Sequence, residues 1–171
     1  MFVGWGIRFL IPTVNQTLTL LDPGSSKIAM TIFFIVLGLS AIPIGKIGTK
    51  LGNSMAMMLG CSISTASVTF LALMPSSSLE YIAIAFLILG YSLVLNGAIP
   101  YAIYVASTNH SGFGIGMYFG GLNLGVSLFG FIFYQLGNIN ITTNTIGTII
   151  SFLLVLICLF ISNKVMQKYC Y

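Results

Sequence analysis

Six apolar runs separated by turn-forming residues constrain this chain more than anything else in it. They cover residues 2–21, 28–44, 54–74, 81–106, 114–136 and 145–162. A helix crossing the hydrocarbon of a bilayer needs about 20 mainly apolar residues, and each run reaches or approaches that length. Between the runs lie stretches rich in Gly, Pro, Ser, Asn and Asp at 22–26, 45–54, 75–80, 107–111 and 137–144. Only 5% of the residues are charged and mean hydropathy is +1.06. Soluble domains carry roughly 25% charged residues, so this chain has too few to cover a water-facing surface. The expectation is an all-α membrane protein, one six-transmembrane-helix bundle over residues 1–163 with a short tail at 164–171. A cleaved leader is a poor reading of the start: residues 1–10 have no basic first segment, and Asn15 and Gln16 interrupt the apolar run.

The placement of charge predicts orientation. With six spans, the N-terminus, the second and fourth loops and the tail share one side, which holds Lys46, Lys50, His110, Lys164 and Lys168. The other side holds Asp22, Lys27 and Glu80. Basic residues of short loops stay cytoplasmic, so a multi-pass protein of the cell membrane with both termini inside is expected. A net charge of +4 scattered over such loops makes no nucleic-acid surface. Three cysteines, Cys61 and Cys158 in apolar runs and Cys170 in the tail, give no disulfide framework.

Chemistry finds no footing. An intramembrane serine protease needs Gly-x-Ser-Gly and a later histidine within hydrogen-bond reach. Here Gly125-Val126-Ser127 is followed by Leu128, Gly60-Cys61-Ser62 by Ile63, and the one histidine, His110, precedes Ser127 in a loop. Asp22 and Glu80 both read as loop residues, which leaves neither an acid–base pair nor an embedded carboxylate to carry a proton. One histidine and scattered cysteines make no metal set, so no enzyme activity, metal or cofactor is expected.

Residues 45–54 read GKIGTKLGNS, in which Gly45, Gly48 and Gly52 allow a tight hairpin carrying Lys46 and Lys50. The stretch resembles the motif G-x-x-x-D-[RK]-x-G-[RK]-[RK] between the second and third helices of each half of a major facilitator superfamily transporter. Gly45, Lys50 and Gly52 match it; Thr49 replaces the acid, and Asn53 and Ser54 replace the final basic pair. The C-terminal copy is usually the eroded one, so the resemblance implies a C-terminal half. The stretch IPYAIYVASTNHSGFGIGMYFGGLNLG is similar to the tenth-to-eleventh helix region of the same family. The resemblance implies half of that fold, with the first, second, fourth and fifth helices lining a cavity and the third and sixth facing lipid. The sixth run, apolar apart from Ser151 and Cys158, reads as such a lipid-facing helix. The resemblance also implies that the Lys50 loop helps hold the cytoplasmic side closed, with the relay weakened at Thr49.

Candidate substrate contacts come from polar residues inside the runs. Arg8, Pro12, Asn15 and Thr19 share one helical face in the first span, with Gln16 beside them. Polar groups in hydrocarbon turn to a bundle interior or a wet cavity, which nominates Arg8, Asn15 and Gln16. Arg8, roughly 9 Å along a helix from Met1, can alternatively snorkel to the headgroups. In the fourth span Ser92, Asn96 and Pro100 lie four apart. Asn96 can bond substrate or hold a neighbouring helix, and Pro100 can act as a hinge. Tyr101 and Tyr104 read as ligand contacts or interfacial anchors. In the fifth span Gly112, Gly116 and Gly120 form one small-residue stripe and Gly121 and Gly125 another, suited to close helix packing. Asn123, Ser127 and Gly130 continue it, and Asn123 joins the substrate candidates.

Together these lead to a carrier of a small solute, sugar or drug-like, secondary active or facilitative, working by alternating access. Such carriers have about twelve helices in two halves. This chain supplies one, and Met1 stands almost in the first helix, as if cut at the domain junction. The expected partners are therefore the lipid bilayer, a small-molecule substrate, and a second six-helix half from a separate chain or a homodimer. The alternatives are a truncated, non-transporting fragment or assembly subunit, and a small oligomeric channel.

Overall fold

The computed structural model describes residues 1–21, 24, 26–73, 79–106, 110–134 and 140–169. They form six helices: α1 (Phe2–Leu21), α2 (Ser26–Leu51), α3 (Asn53–Leu73), α4 (Leu79–Ala106), α5 (Ser111–Tyr134) and α6 (Ile141–Tyr169). No strand occurs among the described residues. Backbone polar groups in hydrocarbon must be satisfied within their own segment, which leaves the helix as the local structure open to such runs. Among the described residues, five helices are long and apolar enough to cross a membrane. Helix α1 has the length, but Arg8, Asn15 and Gln16 lower its mean hydropathy, and it is not among the five.

Helices extend into several stretches expected to be loops. Glu80 opens α4, residues 141–144 open α6, and the expected tail is helical to Tyr169. Residues 22, 23, 25, 74–78, 107–109 and 135–139, with Cys170, lie outside the described residues. The basic hairpin at 45–54 needs the largest correction. Gly45, Lys46, Gly48 and Lys50 are helical, on α2, and the chain turns only at Gly52, whose φ is 87°. A left-handed glycine is the usual way to stop a helix. The Ala56 N–H then donates to the Gly52 carbonyl at 2.9 Å, and α3 is under way. A glycine inside a helix costs roughly 0.5–1 kcal/mol against alanine. Unpaired backbone groups near lipid cost several kcal/mol each, so the helix runs on.

The tightest pairing is α3 on α4; α1 packs on α6, α2 on α4, α3 on α6, α4 on α5 and α1 on α5. Exchanging the unit α1–α3 with α4–α6 maps α3·α4 onto α6·α1 and α2·α4 onto α5·α1. Three crossings separate equivalent helices, so the two units run in opposite senses. The core lies between α1, α3, α4 and α6, where Leu10, Val14, Val68, Leu87, Val94 and Phe152 are fully buried or nearly so. Lipid tails are as apolar as leucine, so close approach of backbones supplies much of the cohesion. A Cβ added at Gly60 would stand 2.5 Å from the Gly90 carbonyl oxygen, and one at Gly90 would stand 2.8 Å from Ser64 Oγ.

Helix α6 is two-faced, not lipid-facing on all sides. It buries Asn144, Thr145, Thr148, Ser151, Phe152, Val155 and Leu159 and exposes Ile146, Ile150, Leu153, Ile157 and Phe160. Its hydroxyls satisfy themselves locally: Thr148 Oγ1 donates to the Asn144 carbonyl at 2.8 Å and Ser151 Oγ to that of Gly147 at 2.7 Å. Bonded this way, Ser and Thr pass for small residues at a helix contact, so an apolar-looking run can still have a packed side. Asn163 Nδ2 ties α6 back to Ser54 Oγ and to Met58 Sδ at the start of α3.

Candidate substrate-facing surface

Helix α1 lies along α5. Trp5 Nε1 donates to the Gly125 carbonyl at 2.7 Å, and the rings of Phe9 and Phe129 meet edge to face with centroids 4.6 Å apart. Gly4 admits this approach, since an added Cβ would stand 2.8 Å from the Leu122 carbonyl oxygen. Met1 therefore sits against Gly121 and Gly125, midway along α5, not level with the helix's start. Arg8, two turns further on, is far from that end of the bundle, and the short snorkelling distance measured along the sequence does not apply. Arg8, Ile11, Asn15 and Thr19 are all exposed on one face of α1. The side chains of Arg8 and Asn15 make no hydrogen bond or ion pair among the described residues. Gln16 is half-buried, and its Oε1 is buried without a hydrogen-bond partner among the described residues.

Helix α5 separates its glycines into two sets. Gly114 and Gly125 face neighbours: an added Cβ would stand 2.6 Å from the Ala102 carbonyl oxygen and 2.5 Å from that of Met1, respectively. Gly121 faces Met1 less tightly, at 3.5 Å. Gly112, Gly116, Gly120 and Gly130 have nothing within 4 Å among the described residues. They line up with Asn123 and Ser127, and all six positions are exposed. At 100° per residue this strip lies on the side of α5 away from α1 and α4.

Asn96 is placed differently. Its Nδ2 donates to the Ser92 carbonyl at 2.8 Å and to Ser92 Oγ at 3.2 Å. Its Oδ1 lies 3.8 Å from where Gly45 would carry a Cβ, so Asn96 sits where α2 meets α4. Pro100 is half-buried inside α4, which remains helical to Ala106. Tyr101 lines a cavity of about 490 Å³ with Phe2, Met117, Tyr118, Cys158 and others, between the start of α1 and the α4–α5 end of the bundle. Tyr104 is exposed, as are Lys46 and Lys50. The structure thus joins Asn96 to Gly45 and places Arg8 and Asn15 on a helix beside that of Asn123. It makes no bonded cluster of the nominated residues.

The reading of Glu80 as a loop residue, which left no embedded carboxylate, is overturned. Glu80, 2% exposed, lies in the first turn of α4 and lines a cavity of about 450 Å³ at the opposite end of the bundle. Thr13, Thr17, Thr69, Thr142 and Thr145 share that lining. The only sequence signal was a hydroxyl at most turns of three different helices.

Six helices in two oppositely running units, with uncovered polar strips on α1 and α5, are half of a facilitator-type fold. The family model of the Major Facilitator Superfamily matches residues 1–168. The chain belongs to the Major Facilitator Superfamily. Proteins of this superfamily are membrane transporters of small solutes, and the apolar helices place this member in a lipid environment as a multi-pass protein. Comparison with curated proteins and with solved structures returns no match.

Proposed function

We propose that the chain is one lobe of a two-lobed carrier that moves a small neutral polar or amphipathic solute, sugar or drug-like, by alternating access. The observation that supports this most is the uncovered strip of α5, with Gly112, Gly116, Gly120, Asn123, Ser127 and Gly130 all turned away from the rest of the bundle. Polar groups at membrane depth face a bundle interior or a wet cavity, and no element among the described residues supplies either for that strip. A second six-helix lobe, from another chain or a second copy of this one, completes it. Arg8 and Asn15 on α1 and Asn123 on α5 then border the solute path, with Gln16 and Asn96 beside it. Gly45, Lys50 and Gly52 serve the α2–α3 junction as a gate, Pro100 serves α4 as a hinge, Gly121 and Gly125 set how closely α1 approaches α5, and Gly116 and Gly120 keep the outer strip of α5 open for the second lobe. Both termini face the cytoplasm of the cell membrane, where Lys46, Lys50 and Lys164 also lie.

Solute uptake into proteoliposomes holding the purified chain, alone and with a co-expressed six-helix lobe, tests the proposal. Saturable uptake that Asn123→Leu abolishes while the protein stays folded is the expected result. Folded protein with no flux of any sugar or cationic drug under both conditions supports the second reading, a non-transporting fragment or assembly subunit.

A further inference from the structure

We propose that the cavity of about 490 Å³ at the start of α1 is the seat of an apolar helical segment of the second lobe, lying end to end with α1. The source of that segment rests on the two-lobed reading above; the shape of the seat does not. Trp5 meets Gly125 and Phe9 meets Phe129, so α1 and α5 run side by side in the same sense. The Met1 backbone lies against Gly121 and Gly125, and the ten residues Ser111–Gly120 of α5 extend past it. That length is about 15 Å, nearly three helical turns. The cavity lies along it, and Phe2 and Val3 of α1 line one end.

The walls have the spacing of helix packing. Ala98, Tyr101, Ala102 and Val105 line the cavity from α4, at i, i+3, i+4 and i+7. Gly114, Met117 and Tyr118 follow the same steps on α5, as do Val155, Cys158, Leu159 and Ser162 on α6. Each set is one face of a helix, of the kind against which a neighbouring helix packs. Three such faces converge on a space that no described element fills. Helix α1 itself lies on α5 and α6, so the space continues a seam that this lobe already fills with a helix. No charged side chain lines it among the described residues, which calls for an apolar guest. Beside lipid the guest must also satisfy its own backbone, and a helix does so where an extended segment does not. Packing, not expulsion of water, holds helices together there, and a helix with a fixed surface packs on three ridged walls better than a mobile lipid tail.

Cys158 lines the cavity and Cys61 is buried, so in a Cys170→Ser background Cys158 reports on the seat. The full chain is purified in detergent in two extended forms, with about three helical turns of alternating Leu and Ala, or of Gly and Ser, placed before Met1. A cysteine is moved through each extension and its disulfide with Cys158 is scored. Cross-linking that recurs every three to four positions in the Leu–Ala form, and shows no period in the Gly–Ser form, is the expected result. Cross-linking without a period in the Leu–Ala form, or the same pattern in both forms, overturns the seat. The source is tested on the unextended chain co-expressed with a six-helix lobe, where alkylation of Cys158 by N-ethylmaleimide should slow about tenfold. Unchanged alkylation in that pair overturns the second lobe as the source. Equal shielding of Cys158 in the chain alone, once it is placed in phosphatidylcholine nanodiscs, overturns the assignment in favour of a lipid tail. Periodic cross-linking and a shielded pair without solute uptake uphold the seat and count against the carrier.

Discussion

Gly60 and Gly90 at the seam of α3 and α4 face one another's backbone, whereas Gly116 and Gly120 on α5 face nothing among the described residues. Both pairs are small residues in apolar helices, and the spacing on α5 is the one usually associated with tight packing. The difference is in what lies opposite. At the α3–α4 seam the absent side chain is replaced by a neighbour's carbonyl, so glycine serves the fold of the lobe. On the outer strip of α5 the absent side chain leaves an open groove, so glycine serves something beyond the lobe. Spacing alone does not tell which of these roles a small residue has.

Substitutions at the two places should therefore behave differently. The largest effect is expected for Gly60→Val. Its Cβ would stand 2.5 Å from the Gly90 carbonyl oxygen and 2.9 Å from the Val94 nitrogen, and both are backbone atoms that cannot step aside. Overpacking of this kind costs typically 1–3 kcal/mol, and with only backbone in the way about 3 kcal/mol or loss of the monodisperse protein on size exclusion is expected. A midway effect is expected for Asn163→Ala, which removes the tie from α6 to Ser54 and Met58. Interhelical hydrogen bonds in membranes are worth about 0.6 kcal/mol on average, and a loss of that order should show in a denaturant titration. The smallest effect on stability is expected for Gly116→Leu and Gly120→Leu, within about 0.5 kcal/mol of the parent. These two should nevertheless abolish uptake or lobe pairing. If Gly116→Leu unfolds the chain as Gly60→Val does, the contrast between the two regions is broken.

The same contrast explains what the sequence made legible. Run length and the lack of charge give six helices and a membrane, because both are properties of single segments. The match of Gly45, Lys50 and Gly52 to a family motif identified the superfamily, although two of those three residues turned out to be helical. Glycines and lysines read as a turn there because a local reading sees propensity and not the cost of unpaired backbone beside lipid. Glu80 read as a loop residue because it follows a Pro-Ser-Ser-Ser stretch; its burial depends on threonines 11 to 67 positions away, which no local pattern connects. Arg8 was placed near an end by counting from Met1, yet the height of Met1 is fixed by Gly125, on another helix.

The Trp5–Gly125 contact has a practical consequence. Trp5 is the single tryptophan of the chain, and its indole N–H is held by a carbonyl of the neighbouring helix. Red-edge fluorescence from this protein therefore has one source, and that source lies where α1 touches α5. Any solute or partner that parts those two helices shifts the emission without a label being attached.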